Sequence, residues 1–192
     1  MKRFLLALCL IPVLSGCGMS DKLSDSLFGA KEDTAAAMPS CPETGLMREA
    51  DQIPVFYGES AKPTADDLAS TGFLGNLTGG CDFDKAGEAS MEITISFAAK
   101  KGPKGVALRK QSLPYFIAVL GPDETVLQRK VFSTKVDFDN TDTASTTEEH
   151  DIRVPVTSKE AAGGYKVVVG FQLTPEQLGF NRENGGKNAS QN

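Results

Sequence analysis

Asp137, Asp139, Asp142 and Glu148 are the residues of this 192-residue chain whose types and spacing best suit metal chemistry. Alternate carboxylates can converge on Ca²⁺, which gathers several oxygen ligands, and Glu148 falls at the twelfth position counted from Asp137, where an EF-hand loop places its bidentate acid. The sixth position lacks the glycine such a loop requires, Thr141 stands at the fifth, and neither flank reads as a helix. A solvated acidic loop is the expectation, and no metal is assigned. His150, the only histidine, is expected to begin a strand on the parity of Ile152 and Val154, at the rim of the core. A catalytic histidine needs a nucleophile and an orienting acid, and Gly-x-Ser-x-Gly is absent. Lys100, Lys101, Lys104, Arg109 and Lys110 form a local basic run. It could meet an anionic partner, but flanking charge that discourages edge pairing explains it more simply. Asp82 and Asp84 alternate outward beside a turn. The sequence has no P-loop, dinucleotide fingerprint or Cys-x-x-Cys. The expectation is therefore no catalytic residue, no cofactor and no enzyme.

The elements that must position these residues read mostly as strands. Met91, Ile93, Ile95 and Phe97 alternate with Glu92, Thr94 and Ser96, the cleanest period-2 signal in the chain. Phe73, Leu77, Cys81 and Phe83 share one parity, and Asp84 and Gly87 have the residues of a tight turn, so the two segments are expected to form a hairpin. Residues 113–120 are continuously apolar, as in a central strand, and residues 121–124 turn it back into 126–132. Ile53, Val55 and Tyr57 suggest a first strand held at an edge by Pro54. Thr64 is placed to cap a short helical turn, and residues 158–164 read as another. Phe132, Val136 and Phe138 keep one parity ahead of a polar loop at 140–147, and Ile152, Val154 and Val156 alternate after it. Tyr165, Val167, Val169, Phe171 and Leu173 form the last strand, and Thr174-Pro175-Glu176-Gln177 reads as a capping box opening a short closing helix. This pattern predicts an all-β fold, an antiparallel immunoglobulin-like β-sandwich of about seven strands with short helical turns. A closed barrel is the alternative. The polar connections at 100–112 and 139–148 favour the sandwich, because they suit crossovers between two sheets.

The amino terminus carries an address. Lys2 and Arg3 precede an apolar run of 11 residues, 4–14, and small residues lead into Cys17. A run that short does not span a hydrocarbon core of ~30 Å as a helix, so it reads as a secretion signal. Leu14-Ser15-Gly16-Cys17 resembles the lipobox of bacterial lipoproteins. The resemblance implies cleavage between Gly16 and Cys17, a diacylglycerol thioether on Cys17 and acylation of the new amino terminus. Residues 1–16 are then the signal, 17–40 a lipidated flexible tether, 41–182 the sandwich domain and 183–192 a disordered polar tail. Of four cysteines, Cys9 leaves with the signal and Cys17 carries lipid, so Cys41 and Cys81 remain in a compartment that permits disulfides. A redox pair would usually be Cys-x-x-Cys, and a metal site needs more His and Cys than the chain owns. A structural Cys41–Cys81 disulfide is expected.

The full chain has 20 basic and 25 acidic residues, a net charge of −5. Removing Lys2 and Arg3 with the signal leaves 18 against 25, or −7. An acidic protein without a concentrated basic face has poor electrostatics for nucleic acid, which is excluded as a partner. Cys41-Pro42, Gly80-Cys81-Asp82-Phe83-Asp84, Leu113-Pro114-Tyr115-Phe116 and the stretch 169–176 together resemble an uncharacterised family of proteobacterial envelope lipoproteins. That resemblance brings no catalytic residue. Gly18 stands where the best-known sorting pattern places a retaining aspartate, which implies the outer membrane, facing the periplasm. The expected partners are the membrane, through lipid on Cys17, and another envelope protein. The expected role is a non-catalytic binding or accessory module, with a carrier of lipid or a small apolar ligand as the alternative.

Overall fold

A computed structural model describes residues 40–58, 60, 62–84 and 88–188, with side chains to 184. The expected signal, most of the expected tether, the expected cleavage pair Gly16 and Cys17, and the turn tip at 85–87 lie outside the described residues. Eight strands form two four-stranded sheets. One sheet has the order β1 (Glu43–Leu46), β8 (Lys166–Phe171), β5 (Lys110–Leu120), β6 (Val126–Asp137). The other has the order β2 (Gln52–Phe56), β3 (Leu68–Phe83), β4 (Ala89–Lys101), β7 (Thr143–Val154). Neither sheet closes on itself, so the expected sandwich is present, with eight strands instead of about seven, and the barrel is excluded.

The hairpins fall where the alternation places them, β3 with β4 and β5 with β6, both antiparallel. The polar connections after β4 and β6 each cross between the sheets, as their length suggests. Ile93, Ile95 and Phe97 of β4 face Leu113, Tyr115 and Val119 of β5 and Val167, Val169 and Phe171 of β8, all buried in one core. Pro54 does lie in an edge strand, β2.

Three features depart from the sequence pattern. Residues 43–46 form a strand that had no periodic signal, paired in parallel with β8 from Glu43↔Lys166 to Leu46↔Val169. A register shift between Leu74 and Leu77 breaks the single parity expected of β3: Leu74 is buried while Phe73 is not, and the inward face resumes at Leu77, Cys81 and Phe83. The glycine-rich stretch is thus a bulged strand, as a bulge shifts the pleat by one residue. The closing helix, α1 (Pro175–Asn188), runs past 182 into the segment expected to be tail. Its capping box forms as predicted, with the Thr174 amide donating to Gln177 Oε1 at 2.9 Å and the Gln177 amide to Thr174 Oγ1 at 3.3 Å.

That helix covers the edge strand β2. Gln177 Nε2 donates to the Pro54 carbonyl at 2.7 Å, Asn181 Nδ2 to the Gln52 carbonyl at 2.8 Å, and Phe180 meets Phe56 edge-on with centroids 5.2 Å apart. Two carbonyls of an otherwise open strand edge are satisfied by side chains, which blunts edge pairing there. Cys41 and Cys81 are joined as expected, with Cα atoms 5.7 Å apart. The bridge links the approach to β1 in one sheet with β3 in the other.

Candidate functional site: a cleft between two edge strands

β6 and β7 are the last strands of their sheets, and they lie along the same side of the sandwich. Over part of their length they close against each other: the buried Thr134 hydroxyl donates to Glu148 Oε1 at 2.6 Å, and Val136 is sealed in the core. Toward the start of β6 the strands part. The gap is a cleft of about 530 Å³, within the usual size for small-molecule sites, roughly 300–1,000 Å³.

The pleat decides what lines it. Opposite Tyr115, Ile117 and Val119 of β5 stand Phe132, Lys130 and Gln128 of β6, so all three β6 residues are on the inward parity. From β7, Ile152 and His150 pair with the inward-facing Met91 and Ile93. The floor is apolar, made by Ile117, Val119, Phe132 and Ile152, and the polar groups Gln128, Lys130, His150 and Arg153 stand around it. Arg153 Nη1 is 4.0 Å from Glu88 Oε1, and Asp151 joins the rim. Arg129 turns to the outer face instead, over the Phe116 ring at 4.4 Å and hydrogen-bonded to Gln172.

At the base of the cleft, the Tyr115 hydroxyl and His150 Nε2 are 2.7 Å apart. The His150 ring lies 4.5 Å from Phe132, which stacks on Tyr115 at 5.5 Å. Burial pushes the Tyr115 phenol up to about 12, with the nearby Glu148 carboxylate adding to the rise. Burial lowers the His150 imidazole from its ordinary value, against the opposing pull of Glu148 and Asp151. A neutral ring bonded to a phenol that keeps its proton is an aromatic, hydrogen-bonding wall. His150 shares the inward parity expected for it but sits well inside β7, not at its start. Sequence reading missed Lys130 and Gln128. Counting back by twos from Phe132 places both on the core side, and polar residues at core parity are the signal that marks an open mouth.

The two charged features singled out in the sequence meet each other. Lys110 Nζ pairs with Asp137 Oδ2 at 2.8 Å, Arg109 bonds Asn140, and Lys101 lies 5.3 Å over the Phe138 ring. Lys110 accordingly holds the Asp137 carboxyl below its usual range. Glu148 lies within β7 and accepts from Thr134, so it is no part of the turn that holds Asp139 and Asn140. The twelve-residue cation loop therefore does not form. The expected loop at 140–147 is also shorter, because β7 begins at Thr143.

Fold and cleft together define a two-sheet β-sandwich with one unsealed side. Comparison with protein-family models, curated proteins and solved structures gives no match to this chain.

Proposed function

We propose that this chain is a lipid-anchored lipoprotein of the bacterial envelope whose sandwich acts as a non-catalytic binding or accessory module. The anchor is Cys17, freed by cleavage after Gly16, and the Gly18 that follows it favours the outer membrane, facing the periplasm. Two or more acyl chains give a stable attachment where one would not.

The observation that carries the binding role is the free edge of β6. Its 12 residues leave Val126, Leu127 and Val131 at 60, 45 and 53 % exposure. Long open edges with apolar side chains invite an added strand from another protein, whose main chain supplies affinity and whose side chains supply selectivity. The partner of this reading is another envelope protein. A photo-crosslinking residue at Val131 of the membrane-associated protein should give one discrete adduct, absent when the probe replaces the exposed Thr147 on β7. Equal or no labelling at the two positions would refute docking at β6. The cleft between β6 and β7 favours a second reading, a carrier of lipid or a small apolar ligand.

A further inference from the structure

In the cleft a cation, Lys130, stands at core parity over an apolar floor. Lys130 pairs across β5 with Ile117, whose side chain is 5 % exposed, and is itself exposed at the mouth. It makes no ion pair among the described residues, where Lys110, Arg153, Lys166 and Arg182 each do. His150 is the second polar group, with Nε2 engaged by Tyr115 and Nδ1 its remaining polar atom. We infer that the cleft binds a single-chain amphiphile with a carboxylate head, the chain lying on Ile117, Val119, Phe132 and Ile152 and the head meeting Lys130. The inference rests on the carrier reading and names its ligand class. Charge complementarity selects the head: an unpaired ammonium beside a desolvated floor gains a charge-assisted hydrogen bond from a carboxylate and only a weaker one from an alcohol. The acids Glu88 and Asp151 sit on the rim, Glu88 within reach of Arg153.

The test uses the full chain as purified from cells, held in phospholipid nanodiscs, and a photoreactive decanoate as probe. Adducts mapped by peptide mass spectrometry should fall on the β6 and β7 residues of the cleft. Labelling should be competed by decanoate about tenfold better than by decanol. Lys130→Glu, at an exposed position, should abolish that preference, and Ile152→Trp should block labelling by filling the floor. The thermal melt of each variant is measured alongside to show that it folds. Equal competition by decanol, or a Lys130→Glu variant that keeps the preference, would overturn the carboxylate head while leaving an apolar carrier. Adducts scattered outside the cleft, or none, would overturn both.

Discussion

Removing the Cys41–Cys81 bridge, as a Cys41→Ser and Cys81→Ser double variant, should weaken the domain in a specific place. The bridge closes a segment of 40 residues, for which the chain-entropy relation gives about 4 kcal/mol at room temperature. A domain of this kind commonly has ~5–15 kcal/mol in all, so the loss is a large fraction. With a urea slope of about 2 kcal/mol per molar, the unfolding midpoint should fall by about 2 M. The local effect follows from position. Cys41 precedes a four-residue edge strand held to β8 by parallel pairing, with the Glu43 amide on the Tyr165 carbonyl and the Met47 amide on the Val169 carbonyl, each at 2.9 Å. Without the bridge, β1 keeps little else to hold it, so amides of residues 43–47 should exchange well before those of β4 and β5. The assay is urea unfolding of both proteins, followed by hydrogen exchange under native conditions. A midpoint shift below about 0.5 M, with residues 43–47 still protected, would refute the view that the bridge staples β1 across the sheets.

Gly105→Ala should destabilise by about 1–3 kcal/mol, because a Cβ there would lie 1.8 Å from the Ala69 carbonyl oxygen and backbone cannot yield. A thermal melt lowered by several degrees checks it. Gln177→Ala should cost about 1 kcal/mol and fray the start of α1, seen as faster exchange there, since it removes both the capping bond and the bond to Pro54. The lowered His150 value means that folding favours the neutral ring, so its stability contribution is complete above about 6.5 and is lost as pH falls below that. Denaturant midpoints of the native protein should decline between pH 7 and pH 5, and those of His150→Gln should not. The raised Tyr115 value has the opposite sense: its contribution is complete below 10 and is lost as pH rises from 10 to about 12, a loss that Tyr115→Phe should remove.

What was legible in the sequence follows from the physics of each element. β4 alternates strictly between buried and more open positions, β8 carries Val167, Val169 and Phe171 on one parity, and β5 is central, so period and apolar run announced them. The capping box at Thr174 is a local hydrogen-bond device and forms as its spacing implies. β1 was not legible, because Glu-Thr-Gly-Leu has no period and owes its strand geometry to β8 and the bridge. The bulge in β3 flips Phe73 and Leu77 to opposite parities, and glycines mark such a site without fixing its register. The meeting of Lys110 with Asp137 and of Arg109 with Asn140 depends on two crossovers landing at one end of the sandwich, which no local pattern encodes. The cleft lies between strands of different sheets, so only parity at Lys130 and Gln128 hinted at it.

The measurement that tests the account most directly is the intact mass of the protein extracted from membranes, with the amino terminus read by fragmentation. The expected result is a chain beginning at Cys17 and carrying a diacylglyceryl group and an amide-linked acyl chain, recovered with the envelope fraction and lost from it in Cys17→Ser. A chain that begins elsewhere, bears no lipid and stays in the soluble fraction would contradict it.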